Sequence, residues 1–505
     1  MFGLKPGFYF YFYPRPKGRG NAERGNAERV NEKNYNDSKL TINKMNKTSA
    51  IAIFDVGKTN KKLLLFDEQY KLVFAQSTQL QETTDEDGFA CEDVMGLTQW
   101  VKDSFNKILN DEKFIIKAVN VAAYGASFVY LNNEGEVIPP LYNYLKPFSP
   151  HLLQIFYKNY GEERSVAKQT ASPSLGNLNA GLQLYRLKYE KPLLFAKIKW
   201  ALHLPQYISY ILTSKLNSEI TSIGCHTYLW NFQQQQYHSW VKQEGFFNKL
   251  PAIKSCSAIA GYTTAGIPVG VGLHDSSSAL VPYLSSFLEL FILLSTGTWC
   301  ICLNPFNHTR LSDYELSNDC LCYLSHEGKP VKASRLFAGN EHELQIKKLA
   351  AYFNKPVDYF TSVHCDAELL KQLKPVLKKP IENEHTAMAG RFFFDQRNLG
   401  DFSSYEAAYH QLIADIMELQ TKSINFVLHE KFVKRIFVDG GFSSNPIYMY
   451  LLAEAFPGME VFAAALPQAA ALGAALVMHP HWNSNPLPLN LMELKLYTHP
   501  QKIKH

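Results

Sequence analysis

Apolar positions along this chain fall into short runs that break at glycine. Ala50-Ile51-Ala52-Ile53-Phe54 is one such run, closed by Asp55, and Leu63-Leu64-Leu65-Phe66 is the next. Runs of this length between polar turn residues read as buried strands. The intervening Asp55-Val56-Gly57-Lys58-Thr59-Asn60-Lys61-Lys62 then closes a β-hairpin. The same device recurs where Phe291-Ile292-Leu293-Leu294 leads through Ser295-Thr296-Gly297-Thr298-Trp299 into Cys300-Ile301-Cys302-Leu303. Strand, Gly/Thr turn, strand, once in each half, predicts a duplicated α/β unit with a cleft between the copies.

Between the turns the period alternates. Leu72–Ala75 reads as a strand, 94–109 as an amphipathic helix and Ile115–Ala122 as a strand that feeds Tyr124-Gly125-Ala126-Ser127-Phe128-Val129. A glycine at a strand end lets a ligand approach closely. Helical text follows over 178–187, 193–202 and 206–212. Polar-aromatic text over 221–230 suits either a sugar pocket or an ordinary loop over a core. Farther on, Ser403-x-x-Glu406 predicts a capping box for a long helix, with Ala408, Leu412, Ile416, Leu419, Ser423 and Val427 as its buried stripe. Arg435–Asp439 reads as a strand entering Gly440-Gly441-Phe442-Ser443-Ser444-Asn445. Helices are expected from Asn445-Pro446 to about Ala455 and over Gln468–Val477. The Gly-Gly step is either flat backbone for a purine or a tight turn.

At 505 residues the chain exceeds one ordinary core, so two domains are expected. A composition of 46% hydrophobic and 19% charged residues is that of a soluble globular protein. No apolar run reaches the roughly 18 residues of a membrane helix; Phe287–Leu294, interrupted by Glu289, reads as a buried strand. The net charge of +5 belongs to residues 1–47, which hold ten Lys/Arg and four Asp/Glu. The remainder is close to neutral and carries no electrostatic footprint for nucleic acid. That first segment, with the block GNAER twice in tandem, is expected to be a disordered extension, with Met45 as the biological start. Eight cysteines without a signal-peptide pattern point to a reducing compartment, the cytoplasm. Cys300-x-Cys302 and Cys320-x-Cys322 are spaced too tightly for structural zinc and read as same-face buried strand cysteines.

Candidate chemistry concentrates in Gly270-Val271-Gly272-Leu273-His274-Asp275-Ser276-Ser277-Ser278-Ala279. A lone carboxylate follows a glycine-broken apolar run and precedes serines of good N-cap type. Asp275 is then either a helix cap or a projecting general base for a hydroxyl. The first hairpin differs from a Walker loop or a Rossmann fingerprint, both of which must open a helix. Its turn instead offers N–H groups, a hydroxyl and ammonium groups to an anion.

Taken together, DVGKTNKKLLLFD, GLHDSSSA, STGTW and VDGGFSSN with the downstream ALGAAL resemble the FGGY carbohydrate kinases, of the actin/Hsp70/sugar-kinase superfamily, over residues 50–478. The resemblance implies an α/β fold with two RNase-H-like (actin-like ATPase) domains around a central cleft. The sugar side would be 48–281, the nucleotide side 282–479, and 480–505 a tail. It implies ATP and Mg²⁺, a sugar substrate, no nucleic acid and no membrane, and leaves a homodimer open. Asp275 would be the base. Gly57, Lys58, Thr59 and Lys62 would form the first phosphate loop, and Thr296, Gly297 and Thr298 the second. Gly440, Gly441 and Asn445 would line the adenosine site, and Asp55 would hold Mg²⁺. Gly125, Ala126, Ser127, Phe128 and His274 are the candidate sugar contacts. The His-Asp pair is closer to the rhamnulokinase and fuculokinase branches than to glycerol kinase. That favours a ketose or 6-deoxyketose of the L-rhamnulose, L-fuculose or xylulose kind. Lys58 departs from the family's usual Thr, either strengthening phosphate contact or facing solvent. The alternatives are an ATPase acting on a protein partner and an inactive sugar-binding regulator.

Overall fold

Thr48–Val56 (β1) turns at Gly57 and returns as Lys61–Asp67 (β2), so that Asp55 faces Lys62 across an antiparallel pair. Leu72–Thr78 (β3) extends the sheet beyond β2, and Phe114–Ala123 (β4) lies parallel to β1 on its other side. Ile259–Tyr262 (β5), Pro268–Gly270 (β6) and Leu273–His274 (β7) complete a seven-stranded sheet of order β5-β6-β4-β1-β2-β3, with β7 also on β4. The coordinates are a computed structural model that describes residues 47–374, 393–428, 433–466 and 468–498. The expected extension, its GNAER repeat and Met45 lie outside the described residues.

The second lobe repeats the plan. Phe291–Thr296 (β8) and Cys300–Asn304 (β9) form its hairpin, Cys320–Leu324 (β10) and Pro330–Leu336 (β11) widen it, and Arg435–Gly440 (β12) runs parallel to β8. Glu460–Ala465 (β13) and Glu493–Tyr497 (β14) close a seven-stranded sheet of order β10-β11-β9-β8-β12-β13-β14. The duplication expected from the two Gly/Thr turns is present. Cys300, Cys302, Cys320 and Cys322 are buried free thiols on three-residue-wide stretches of β9 and β10, as their alternation predicts.

Helix Val94–Leu109 (α1) buries Val94, Leu97, Val101, Phe105 and Ile108 beneath the first sheet. Each fully buried side chain of this kind contributes about 1.5–3 kcal/mol. Asp93 caps the helix through the Met95 and Gly96 N–H groups. Asp275–Ser286 (α2) leaves β7 directly, and Tyr405–Val427 (α3) buries its whole predicted stripe in the second core. Pro446–Ala455 (α4) and Ala469–Val477 (α5) follow. Among the described residues no helix is long and apolar enough to cross a membrane.

Three local expectations are corrected. The helix expected over 193–202 is confined to Pro192–Lys197, because Trp200–His203 pairs antiparallel with Phe128–Leu131. A short apolar run takes the structure of whatever edge is free to pair with it. The cap of α3 is Ser404, whose Oγ accepts the Ala407 N–H at 3.2 Å. Glu406 therefore sits one position early for a capping box and accepts the Tyr359 hydroxyl instead. In Phe287–Leu294 the strand begins only at Phe291, since α2 runs on to Ser286.

The lobes meet at α2 and α5. Although α5 follows β13 in sequence, its Ala471, Ala474, Ala475 and Val477 pack with Ile51, Ile53, Ala118 and Ala122 of the first sheet. Small residues allow the close crossing with α2. A Cβ on Gly473 would lie 1.8 Å from the Ser278 carbonyl, so only glycine fits there. Ser278 Oγ donates to the Ala470 carbonyl at 2.7 Å, and Asn120 Nδ2 to that of Ala474 at 2.8 Å.

Candidate active site

Parallel register brings the site together. Asp55 of β1 and Leu273 of β7 both pair with Ala122 of β4, and Val56 and His274 both pair with Ala123. These strands therefore finish at one level, and ligand sites of open α/β sheets form beyond such carboxyl ends. His274 then serves as N-cap and Asp275 opens α2. In the second lobe Ser295 of β8 pairs with Asp439 of β12, placing another carboxylate at a strand end. Both ends line one cavity of about 310 Å³ whose walls include Asp55, Asp275, Ser295, Asp439, Gly440 and Ala470.

Ser276–Ser278, expected as N-cap residues, lie inside α2 instead. Ser277 Oγ donates to the Leu324 carbonyl of the second lobe at 2.9 Å. The Asp275 carboxylate accepts the Ser276 N–H at 2.6 Å and its hydroxyl at 3.2 Å; His274 Nε2 lies 3.2 Å away. Its side chain is 32% exposed, yet it is recessed between the lobes, and this burial raises its pKa against the opposing Ser276 bonds. Burial also pushes the His274 imidazole down to about 3, so at neutral pH it is uncharged and leaves the carboxylate uncompensated. Cys225 Sγ lies 3.0 Å from His274 Nε2.

Burial raises Asp55 to about 6, Lys62 opposing and the Asp275 charge reinforcing the shift. Lys62 Nζ is 3.7 Å from Asp55 Oδ2 and donates to Gln468 Oε1, at the start of α5, at 2.9 Å. Asp439 accepts the Tyr283 hydroxyl at 3.3 Å, and burial raises its pKa as well. Asp55 and Asp439 are both desolvated; among the described residues the salt-bridge partner of Asp55 is Lys62, while none is found for Asp439. As hard oxygen donors the two carboxylates fit a Mg²⁺ carried on a phosphate chain. The sequence reading missed Asp439; its signal was an acid ending a strand one residue before Gly-Gly, as Asp55 ends β1.

Thr296 is buried, its hydroxyl donating to the Asp439 carbonyl and accepting the Phe442 N–H at 3.0 Å. It staples the Gly-Gly turn to β8. Gly440 has φ +78°, and a Cβ there would lie 1.8 Å from the Thr296 carbonyl, whereas Gly441 faces open space. Gly440→Ala is expected to cost about 1–3 kcal/mol of stability, read as a lower urea midpoint with an unchanged m-value. Asn445 caps α4 through the Ile447 and Tyr448 N–H groups, and its amide donates to Tyr409 at 2.9 Å. At the hairpin tips, Gly57 N–H donates to the Asn60 carbonyl at 2.9 Å and Gly297 N–H to that of Trp299 at 3.0 Å. Thr59, Gly297 and Thr298 are exposed, and Lys58 Nζ lies 3.6 Å from Glu82. Gly57, Lys58, Thr59, Lys62, Thr296, Gly297, Thr298, Gly441 and Asn445 do not line the 310 Å³ cavity.

The turn Gly125–Ser127 lies against His274: a Cβ on Gly125 would come 3.0 Å from its ring and 2.5 Å from Cys225 Sγ. Ala126 takes a φ of +60°, and Phe128 points into the core, its ring 4.3 Å from that of His203. Beside this turn, Ser127 Oγ, Asn177 Oδ1, Gln183 Oε1 and His203 Nε2 are buried without partners, although Gln183 Nε2 reaches the Ala126 carbonyl at 2.8 Å. Unpartnered buried polar atoms are rare and suit a ligand rich in hydroxyls. Gln183 was missed because it sits in text that reads as ordinary helix, and Asn177 and His203 because each flanks such a stretch without a motif of its own. A further link ties the Gly57 hairpin to this turn. Buried Lys61 donates to Glu92 and to the Lys58 carbonyl, and the Tyr124 hydroxyl donates to the same Glu92.

The FGGY family of carbohydrate kinases matches through its N-terminal domain over residues 50–281 and its C-terminal domain over 289–393. A rhamnulokinase of Mannheimia succiniciproducens is 25% identical over 261 residues, 50% of this chain and 52% of that protein. The chain thus spans about half the length of that relative. A probable L-xylulose kinase of Pasteurella multocida is 24% identical over 454 residues, 84% of this chain and 89% of that protein. A carbohydrate kinase from Novosphingobium aromaticivorans superposes with a TM-score of 0.73 at 22% identity, covering 90% of this chain and 95% of its own. A ligand-bound xylulose kinase from Lactobacillus acidophilus gives 0.73 at 17%, covering 90% and 94%. With both family domains matched and the two-lobed architecture shared, the chain belongs to the FGGY family of carbohydrate kinases, sugar phosphotransferases built on the actin-like ATPase fold.

Proposed function

We propose that this chain transfers a phosphoryl group from ATP to a hydroxyl of a ketose or 6-deoxyketose, with Asp275 as the general base. The observation that carries the reading is the Asp275 carboxylate, which opens α2 directly after β7 and has no lysine or arginine partner among the described residues. It shares one cavity with Asp55 and Asp439 and lies beside a turn rich in unpartnered polar atoms. The printed names of the relatives, rhamnulokinase and L-xylulose kinase, favour a ketose.

Phosphoryl transfer needs positioning and charge neutralisation more than covalent chemistry. ATP supplies the phosphoryl group, and Mg²⁺ neutralises part of its charge. Asp55, with Asp439 across the cavity, is assigned to the metal. Gly57, Thr59, Lys62, Gly297, Thr298, Gly440, Gly441 and Asn445 are assigned to the nucleotide side, and Gly125, Ser127 and His274 to the sugar. Thr296 is assigned to holding the turn, since its hydroxyl is already engaged. Lys58, drawn toward Glu82, is assigned to the hairpin surface. Asp275 accepts the sugar proton, and its raised pKa makes it a stronger base than a solvated carboxylate.

The test is ADP release measured against a panel of ketoses and polyols. Stimulation by one ketose is the expected result. Sugar-independent turnover marks an ATPase acting elsewhere, and sugar binding without turnover a regulator; either overturns the reading.

A further inference from the structure

Glu219 is fully buried, and no lysine or arginine among the described residues pairs with it. It ends the short strand Ser218–Glu219 and caps the four-residue helix Ile220–Ile223. Its carboxylate accepts five donors: the Thr221 N–H at 2.7 Å, the Thr221 hydroxyl at 2.6 Å, the Ser222 N–H at 3.1 Å, the Ser222 hydroxyl at 3.3 Å and the Cys256 thiol at 2.6 Å. A cap needs only the two N–H bonds, and burying a carboxylate is costly, so this arrangement exceeds what one helical turn requires.

The Thr221 hydroxyl shows what the excess does. Its single proton goes to Glu219, so its lone pairs face outward, and they accept the His274 N–H at 3.0 Å. Both Glu219 oxygens already accept backbone N–H groups and the Thr221 oxygen accepts the His274 N–H, which fixes the direction of that hydroxyl. On its other edge β7 is held by the parallel ladder to Ala122 and Ala123. β7 is therefore held at both edges at His274, the residue before Asp275.

We propose that Glu219 is a positioning residue for Asp275, acting through the Thr221 hydroxyl on the His274 N–H. The inference rests on the assignment of Asp275 as the base. Displacing a reacting group by an ångström lowers turnover by about a hundredfold, and that sets the scale of the test.

Thr221→Val keeps the volume and removes the hydroxyl, Thr221→Ser keeps the hydroxyl, and Glu219→Gln puts a donor where only an acceptor fits. With the ketose that the wild-type chain uses, Thr221→Val and Glu219→Gln should each lower kcat about ten- to a hundredfold, leave the KM for ATP within about threefold, and combine without a further loss. Thr221→Ser should retain wild-type kcat. Folding of each variant is checked by thermal unfolding. If Glu219→Gln is insoluble, the Val/Ser pair decides. Wild-type kcat in Thr221→Val, or an equal loss in Thr221→Ser, overturns the inference while Asp275 stands as base. Wild-type turnover in Asp275→Asn, or no sugar-dependent turnover in the wild-type chain, removes the base assignment and this inference with it.

Discussion

Asp275→Asn lowers kcat by about 10²–10⁴-fold, the range of general base catalysis, and leaves ATP binding within about threefold of wild type. Asparagine keeps the shape of the side chain and can still accept the Ser276 N–H, so α2 should begin as before. What it lacks is a basic oxygen at neutral pH. The same residue contributes to the acid limb of the pH profile. Because burial raises the Asp275 pKa, the base is protonated and turnover is lost at a higher pH than for a solvated carboxylate. Asp55 titrates in the same cavity with a pKa near 6, so the limb belongs to the coupled pair. The expected measurement is kcat/KM, which reports the free enzyme, falling as pH drops through about 6, with the limb altered in Asp275→Asn. Wild-type turnover in that variant would exclude the residue from the chemistry.

Asp55→Asn is expected to move activity and stability in opposite directions. The folded state holds the Asp55 proton to a pKa near 6, against 3.8 for a free carboxylate, so between these values it binds more protons than the unfolded chain. The ligand-free protein therefore loses stability as pH rises from about 4 to about 6 and regains it as pH falls. The full shift corresponds to about 3 kcal/mol; the side chain is only 15% exposed, so solvent screens little of it. Asparagine carries no such charge, and Lys62 retains its bond to Gln468. Urea titrations of the ligand-free variant should show higher stability than wild type at pH 8 and equal stability near pH 4. Turnover should fall with the loss of the carboxylate proposed to hold Mg²⁺. A variant less stable than wild type at pH 8 would mean that burial of the charge does not dominate at this position.

Much of the architecture was legible before any coordinates. Both hairpins, α1 and the buried stripe of α3 follow from local rules: apolar period, turn glycines, and run lengths between them. The same rules left Asp275 as either a helix cap or a projecting base, and the resemblance of the flanking motifs favoured the base. Local rules failed where a segment's partner decided its state. Trp200–His203 is a strand because Phe128–Leu131 offers it an edge, and Ser404 caps α3 one residue later than the pattern suggested.

Sequence alone indicated most of the elements, their duplication, the family and one candidate acid, since those depend on near neighbours and on motif text. The tertiary structure alone decided that Asp439 shares a cavity with Asp55 and Asp275, that α5 closes the first lobe rather than the second, and that buried Glu219 reaches the His274 peptide through a threonine. Parallel strands can be joined by any crossover, so the level at which their ends meet is set by packing between distant segments, which no local pattern encodes.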